Sequence, residues 1–365
     1  MEYRRIGDYI KEVDSRNRDL KITKLVGLTI NKAFIPSVAN VIGTDLSSYK
    51  VIQKEQFACS LMQVSRDGKI PVAMFEDEAA IMSPAYPMFE VVDKDVLLPQ
   101  YLMMWFSRSE FDREASFYAV GGVRGSLTWE DFCNMKLPVP SVDRQREIVE
   151  EYETLSRRIR LNEQITEKLE VTAQALYRKM FVDNIDKENL PEGWRMGTIG
   201  EFCDIITGKK DVNESLEEGI YRFFSCSPDY FYSNEYIAKG PAALIAGNGS
   251  YTGRVTYYDK EFDLYQRTYA CIPHEENEEL IPFLYCVLKY QFEPTFMGGS
   301  RGSSIPYIVR GDIADFEFVY NKETCLLFSV IIGKILLHIQ IMEQENSKLS
   351  ELQSLLLSKM GNLKQ

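Results

Sequence analysis

Apolar positions in this chain recur in two rhythms, and the longer one organises the whole sequence. From Ile148 they step alternately by four and three through Tyr152, Leu155, Ile159, Asn162, Thr166, Leu169, Ala173, Leu176 and Met180. Moving 180 residues onward gives Phe328, Ile332, Ile335, Ile339, Met342, Asn346, Leu349, Gln353, Leu356 and Met360. Eight of those ten are apolar, so the seam occurs twice. Such an alternation over five turns is the spacing of a coiled coil. It predicts long helices over 143–182 and 322–365, packed through Leu155, Ile159, Leu169, Leu176, Ile335, Ile339, Leu349 and Leu356. Because the seams share a register, Leu155 and Ile335 are expected near the middle of one apolar core.

Ahead of each helix the rhythm is short. Apolar runs such as Phe57–Val64 and Ala242–Ile245 are followed by turn signals, Arg66-Asp67-Gly68-Lys69 and Ala246-Gly247-Asn248-Gly249. Asn-Gly beside an apolar run is a strong turn signal. A proline in the first turn predicts short helices at Pro99–Phe106 and Ile281–Tyr290. These segments predict two α+β heads, over 1–142 and 193–321. The polar stretch 183–192, which has no apolar period, reads as a linker.

The heads also repeat each other. Gly121–Ser126 (Gly-Gly-Val-Arg-Gly-Ser) returns at Gly298–Ser303 as Gly-Gly-Ser-Arg-Gly-Ser. Leu98-Pro99-Gln100-Tyr101-Leu102 resembles Ile281-Pro282-Phe283-Leu284-Tyr285, and Asp67-Gly68-Lys69-Ile70 resembles Thr252-Gly253-Arg254-Val255. Tyr3–Asp8 resembles Met196–Glu201. The landmarks keep their order while the offset drifts, as happens when loops change length around a common core. The chain therefore reads as a duplication: two heads separated by an antiparallel helix pair with approximate two-fold symmetry.

Charge and composition exclude several functions. The chain is 365 residues long with net charge −12; residues 182–320 alone carry 12 Lys and Arg against 23 Asp and Glu. So acidic a head by itself argues against nucleic acid as a partner. Its basic residues nevertheless sit beside glycines, at Lys209-Lys210, Arg254 and Arg301. Seven cysteines without a Cys-x-x-Cys, and only His274 and His338 as histidines, fit a reduced cytoplasmic protein without a metal site. The charged opening from Glu2 to Arg5 does not read as a signal peptide. Cys325–Met342 is apolar, but a membrane span would bury Lys334, His338 and Gln340 in hydrocarbon, and the heptad seam accounts for the same residues.

Catalytic motifs are missing. Gly208-Lys209-Lys210 lacks the earlier glycine and the hydroxyl residue of a phosphate loop. No His-Glu-x-x-His occurs, and no Asn/Asp-Pro-Pro-Tyr/Phe run of an amino-methyltransferase. No cofactor is expected. What repeats is a glycine-rich loop whose arginine and serine offer donors suited to phosphate oxygens or a guanine edge. The candidate DNA contacts are Lys69, Arg124 and Ser126 in the first head, and Lys209, Lys210, Arg254, Arg301 and Ser303 in the second. The bland alternative is a turn whose arginine pairs with a nearby carboxylate.

The segment Leu137-Pro138-Val139-Pro140-Ser141-Val142-Asp143-Arg144-Gln145-Arg146-Glu147-Ile148-Val149 resembles the head-to-helix junction of type I restriction–modification specificity subunits. Leu190-Pro191-Glu192-Gly193-Trp194-Arg195 resembles the opening of that family's second recognition domain. The likeness covers the chain, although the second junction, Glu317–Asn321, lacks the proline pair and the Arg-Gln-Arg-Glu run. The resemblance implies a non-catalytic subunit. Each head would read half of a bipartite site in double-stranded DNA, and methyltransferase subunits, two being expected, would dock on the chain. A restriction/translocase subunit would be an optional further partner. A 39-residue helix of about 58 Å exceeds one duplex turn of about 34–36 Å, so the helices could act as a spacer. The rival reading is a two-headed scaffold that binds only proteins, which the acidity favours.

Overall fold

A computed structural model describes residues 3–37, 43–62, 64–120, 125–183, 185–229, 231–297 and 307–361. The chain divides into two compact units, 1–161 with 345–365 and 162–344, so each long helix contributes one half to each unit.

In the first unit a four-stranded antiparallel sheet runs in the order Ile10–Glu12, Met88–Val91, Phe57–Cys59, Val72–Met74. The head opens and closes on one ladder, Tyr3–Arg5 paired with Lys136–Pro138. Helices Pro99–Phe106, Ser109–Ala119 and Trp129–Asn134 supply the rest of the core. Phe57 stacks on Phe89 at 5.0 Å, and Phe106, Phe111 and Phe132 surround them. Ile148, Val149 and Met360 from the long helices join that core. The head and the helix ends beside it thus share one hydrophobic core.

The second unit repeats the frame. Its sheet has the order Cys203–Thr207, Thr268–Pro273, Ala242–Ala246, Val255–Tyr258, again antiparallel. The ladder closing this head is Arg195–Thr198 with Glu317–Tyr320. All five residues of Ala242–Ala246 are buried, as befits an apolar central strand covered on both faces. A second, four-stranded sheet adds the parallel pair Tyr221–Phe224 and Glu261–Leu264, where the first head has two-stranded sheets, Val26–Leu28 with Phe34–Pro36 and Lys50–Gln53 with Ala79–Met82. The helix expected at Ile281–Tyr290 is α-helical over Ile281–Val287, wide-turned over Leu288–Phe292, and α-helical again over Glu293–Met297.

The long helices span Val142–Phe181 and Lys322–Met360. Burial follows the seam: Ile148, Asn162, Ala173, Phe328, Ile332 and Met360 are buried, while Leu155, Ile159, Leu169, Leu176, Ile335, Ile339, Leu349 and Leu356 are half-buried. The pairing is antiparallel within each unit. In the first, Gln353 Nε2 donates to Ser156 Oγ at 2.7 Å, and Arg158 donates to both carboxylate oxygens of Glu345 at 2.9 and 3.0 Å. In the second, Thr166 meets Met342, and Tyr177 packs on Phe328. Lys322–Met360 is long and apolar enough to cross a membrane by length and composition. Its seam is instead spent on the second unit's core through Cys325, Phe328, Ile332 and Leu336.

Antiparallel pairing corrects one expectation. Leu155 lies in the first unit beside Leu352, Leu355 and Leu356, whereas Ile335 packs against the core of the second. An equal register does not make two residues opposite, because early positions of one helix face late positions of the other. Within the apolar run Phe57–Val64 the strand covers Phe57–Cys59, and Val64–Asp67 forms a helical turn.

The two junctions reach the same end by different means. At the first, buried Gln145 donates to the Val96 and Pro140 carbonyls at 2.8 and 2.9 Å and accepts from Leu98 N at 2.9 Å. At the second, Asn321 caps the helix by accepting from Thr324 N at 3.0 Å, and it donates to Gly193 O at 2.9 Å. Gly193 holds φ +82°, a conformation that favours glycine.

Candidate nucleic-acid interface

In the first head the candidate residues gather around the helical turn Val64–Asp67. Lys69 is exposed just beyond it, after Gly68 at φ +66°. Gly125 packs so closely on the same turn that a Cβ there would lie 2.0 Å from Ser65 Oγ. Leu127 N donates to Leu61 O at 2.9 Å, which pins the strand side of this corner, and Ser126 lies half-buried between. Arg124 falls outside the described residues.

In the second head the turn 247–254 occupies the equivalent place. Its two ends clamp the chain on either side of residues 298–306. A Cβ on Gly253 would meet Phe296 Cβ at 2.8 Å, while Asn248 bridges to Tyr307 and Ile308 N donates to Gly247 O at 2.8 Å. Arg301 and Ser303 lie outside the described residues. Beside the turn is a cleft of about 290 Å³ lined by Ser225, Ser227, Asn248, Tyr251 and Tyr265, among others. It offers hydroxyl, amide and aromatic groups, the kinds that contact bases and phosphates.

Three lysine and arginine positions from the sequence take different roles here. Lys209 is exposed. Lys210 is drawn inward: its Nζ lies 2.7 Å from Asp263, whose side chain is 5% exposed, and it also reaches Ser233 Oγ and Glu235. The Asp263 hydrogen bond raises the Lys210 pKa above the ordinary lysine value. Lys210 is thus engaged in holding two strands together. Arg254 is half-buried; it donates from Nη2 to Ser227 O at 2.8 Å, and desolvation lowers its pKa. It braces the cleft wall. Sequence reasoning missed Asn248, Tyr251 and Tyr265 as lining groups. The Asn-Gly turn marked Asn248 as a turn residue, and no local signal marked Tyr251 or Tyr265.

Thiol chemistry is suppressed at the five buried cysteines. Burial raises the thiols of Cys59, Cys271 and Cys286, and it pushes Cys203 and Cys325 to about 12.

The model of the type I restriction modification DNA specificity domain matches residues 6–171 and again 191–320, one copy for each head. The chain belongs to this family. The paired match agrees with the repeated sheet order and with the duplication read from the sequence. Over 128 residues it is 38% identical to the Type I restriction enzyme EcoDI specificity subunit of Escherichia coli, a stretch covering 35% of this chain and 28% of that protein. The crystal structure of a Type-I restriction-modification system S subunit from M. genitalium is similar over 100% of this chain and 96% of that one. Its TM-score of 0.64 at 16% identity shows a shared fold. The α+β architecture with two repeated specificity domains is therefore that of the family.

Proposed function

We propose that this specificity-domain protein is the non-catalytic DNA-recognition subunit of a type I restriction–modification complex, acting in the cytoplasm. Its heads, 1–142 and 193–321, would each read one half of a bipartite target. The methyl-transfer chemistry would belong to methyltransferase subunits docked on the chain, with a nuclease/translocase subunit as a further partner. One observation carries this reading: both heads, each matched by the specificity-domain model, place a glycine-bounded basic turn beside the segment that runs into or out of their Gly-Gly-x-Arg-Gly-Ser sequence.

Methylome sequencing of cells carrying the chain with its partner subunits tests the reading. A modified motif in two separated halves is expected. Exchanging residues 1–140 for the head of another such subunit should change one half and spare the other. A continuous motif, or a change in both halves, would refute it. A complex with no sequence preference would point to the protein-binding scaffold that the net charge of −12 favours.

A further inference from the structure

A buried carboxylate recurs in both heads at a place that the duplication does not require. In the first head Asp112, on the helix Ser109–Ala119, is 8% exposed. Its Oδ1 accepts from Ile70 N at 3.1 Å and from Lys32 Nζ at 2.8 Å. Lys32 also donates to Phe106 O, from a turn where it adopts φ +60°. In the second head Glu293 is 7% exposed; its Oε2 accepts from Val255 N at 2.9 Å and from Lys289 Nζ at 2.8 Å.

Ile70 and Val255 are equivalent positions. Each follows the basic residue of its turn, Lys69 or Arg254, and leads into or opens the strand at the edge of the repeated sheet. Both acids lie on the helix that runs into the Gly-Gly-x-Arg-Gly-Ser segment. The lysines, by contrast, come from unrelated places, a strand-to-strand turn in one head and the preceding helical turn in the other. The recurring element is therefore the tie from carboxylate to backbone amide; its counter-charge is supplied ad hoc. Burying a carboxylate is costly, and apolar packing would serve stability alone at least as well. A charged acceptor adds a short, directional bond.

We infer that Asp112 and Glu293 are positioning residues for DNA reading, each locking the basic turn and the helix before the Gly-Gly-x-Arg-Gly-Ser sequence into one rigid register. The inference rests on the proposed recognition role of the heads.

The test uses the chain assembled with its methyltransferase subunits and duplexes bearing single-base changes in either half-site. Lys32→Met with Asp112→Asn removes the charge pair but leaves an acceptor for Ile70 N–H. Lys32→Met with Asp112→Leu removes both. The first pair should discriminate bases as the parent does. The second should lose about tenfold in discrimination, the order of one base contact, in the first head's half-site only. Lys289→Met with Glu293→Gln or Glu293→Leu gives the mirror test in the other half-site. Equal discrimination by the Asn and Leu pairs, or equal loss in both half-sites, would overturn the inference. So would failure of both Leu pairs to fold while the amide pairs fold, since the tie would then be structural only. A parent complex without sequence preference would instead sink the recognition reading itself.

Discussion

Phe328→Ala should expose how strongly the long helices are bound to the second head. Phe328 is fully buried, with its ring centroid 5.1 Å from Phe181, 5.9 Å from Tyr177 and 6.2 Å from Phe283. Those partners come from the first long helix and from the helix Ile281–Val287, so one ring joins three elements. Its neighbours are rigid aromatic rings on separate backbones, and they cannot close over the void. Truncation should therefore cost about 3–5 kcal/mol, the range for a buried Phe to Ala. With a urea slope of about 2 kcal/mol/M, the midpoint should fall by about 2 M. Trp194, which packs on Phe181 at 6.0 Å, gives the signal once Trp105 and Trp129 are replaced by Phe. Leu327→Ala is the control, because Leu327 is 62% exposed and a surface change is worth about 0.5 kcal/mol or less. A Phe328→Ala midpoint that tracks this control would refute the shared core.

Two further outcomes follow from burial. Ellman's reagent with peptide mapping should label half-buried Cys226 first and Cys133 slowly, and reach Cys59, Cys203, Cys271, Cys286 and Cys325 only in denaturant; prompt labelling of those five would contradict the packing. Burial also raises the phenols of Tyr101, Tyr177 and Tyr285. The folded chain thus holds these protons more tightly than the unfolded one, and stability should be intact below pH of about 10 and decline above it. Urea midpoints at pH 8, 10 and 11, read with absorbance at 295 nm, should show that decline; a flat profile would count against it.

What could be read from the sequence was whatever repeats at short range. The four–three seam fixed the burial pattern of both long helices, and prolines in first turns marked Pro99–Phe106 and the start of Ile281–Val287. Collinear landmarks predicted a duplicated frame, and the two sheets have the same strand order. Long-range partners left no such trace. Lys32 and Asp112 are 80 residues apart, and neither is unusual where it stands. Lys210 looked like a free loop cation because its partner Asp263 is 53 residues away on another strand. The seam gave helix register but not which residues oppose each other, since that depends on where two antiparallel helices overlap. Leu155 and Ile335 therefore share a register without sharing a core.

The acidity that seemed to oppose DNA binding takes on a specific meaning once the ion-pair partners of the cations are known. In the second unit Lys210, Lys239, Lys289 and Arg195 all face carboxylates, and Arg254 is turned toward a backbone carbonyl. Cations held in this way contribute little to the sequence-independent attraction that phosphates exert. On the proposed reading the heads then supply discrimination while most of the bulk affinity comes from partner subunits. Such a division suits a subunit whose task is to choose among sites: weak general attraction keeps it from being held on unrelated DNA, where each wrong contact must cost more than the backbone can repay. Exposed Lys69 and Lys209, each beside a glycine, are places where positive charge could still reach a duplex, and buried Asp112 is tied to the residue that follows Lys69.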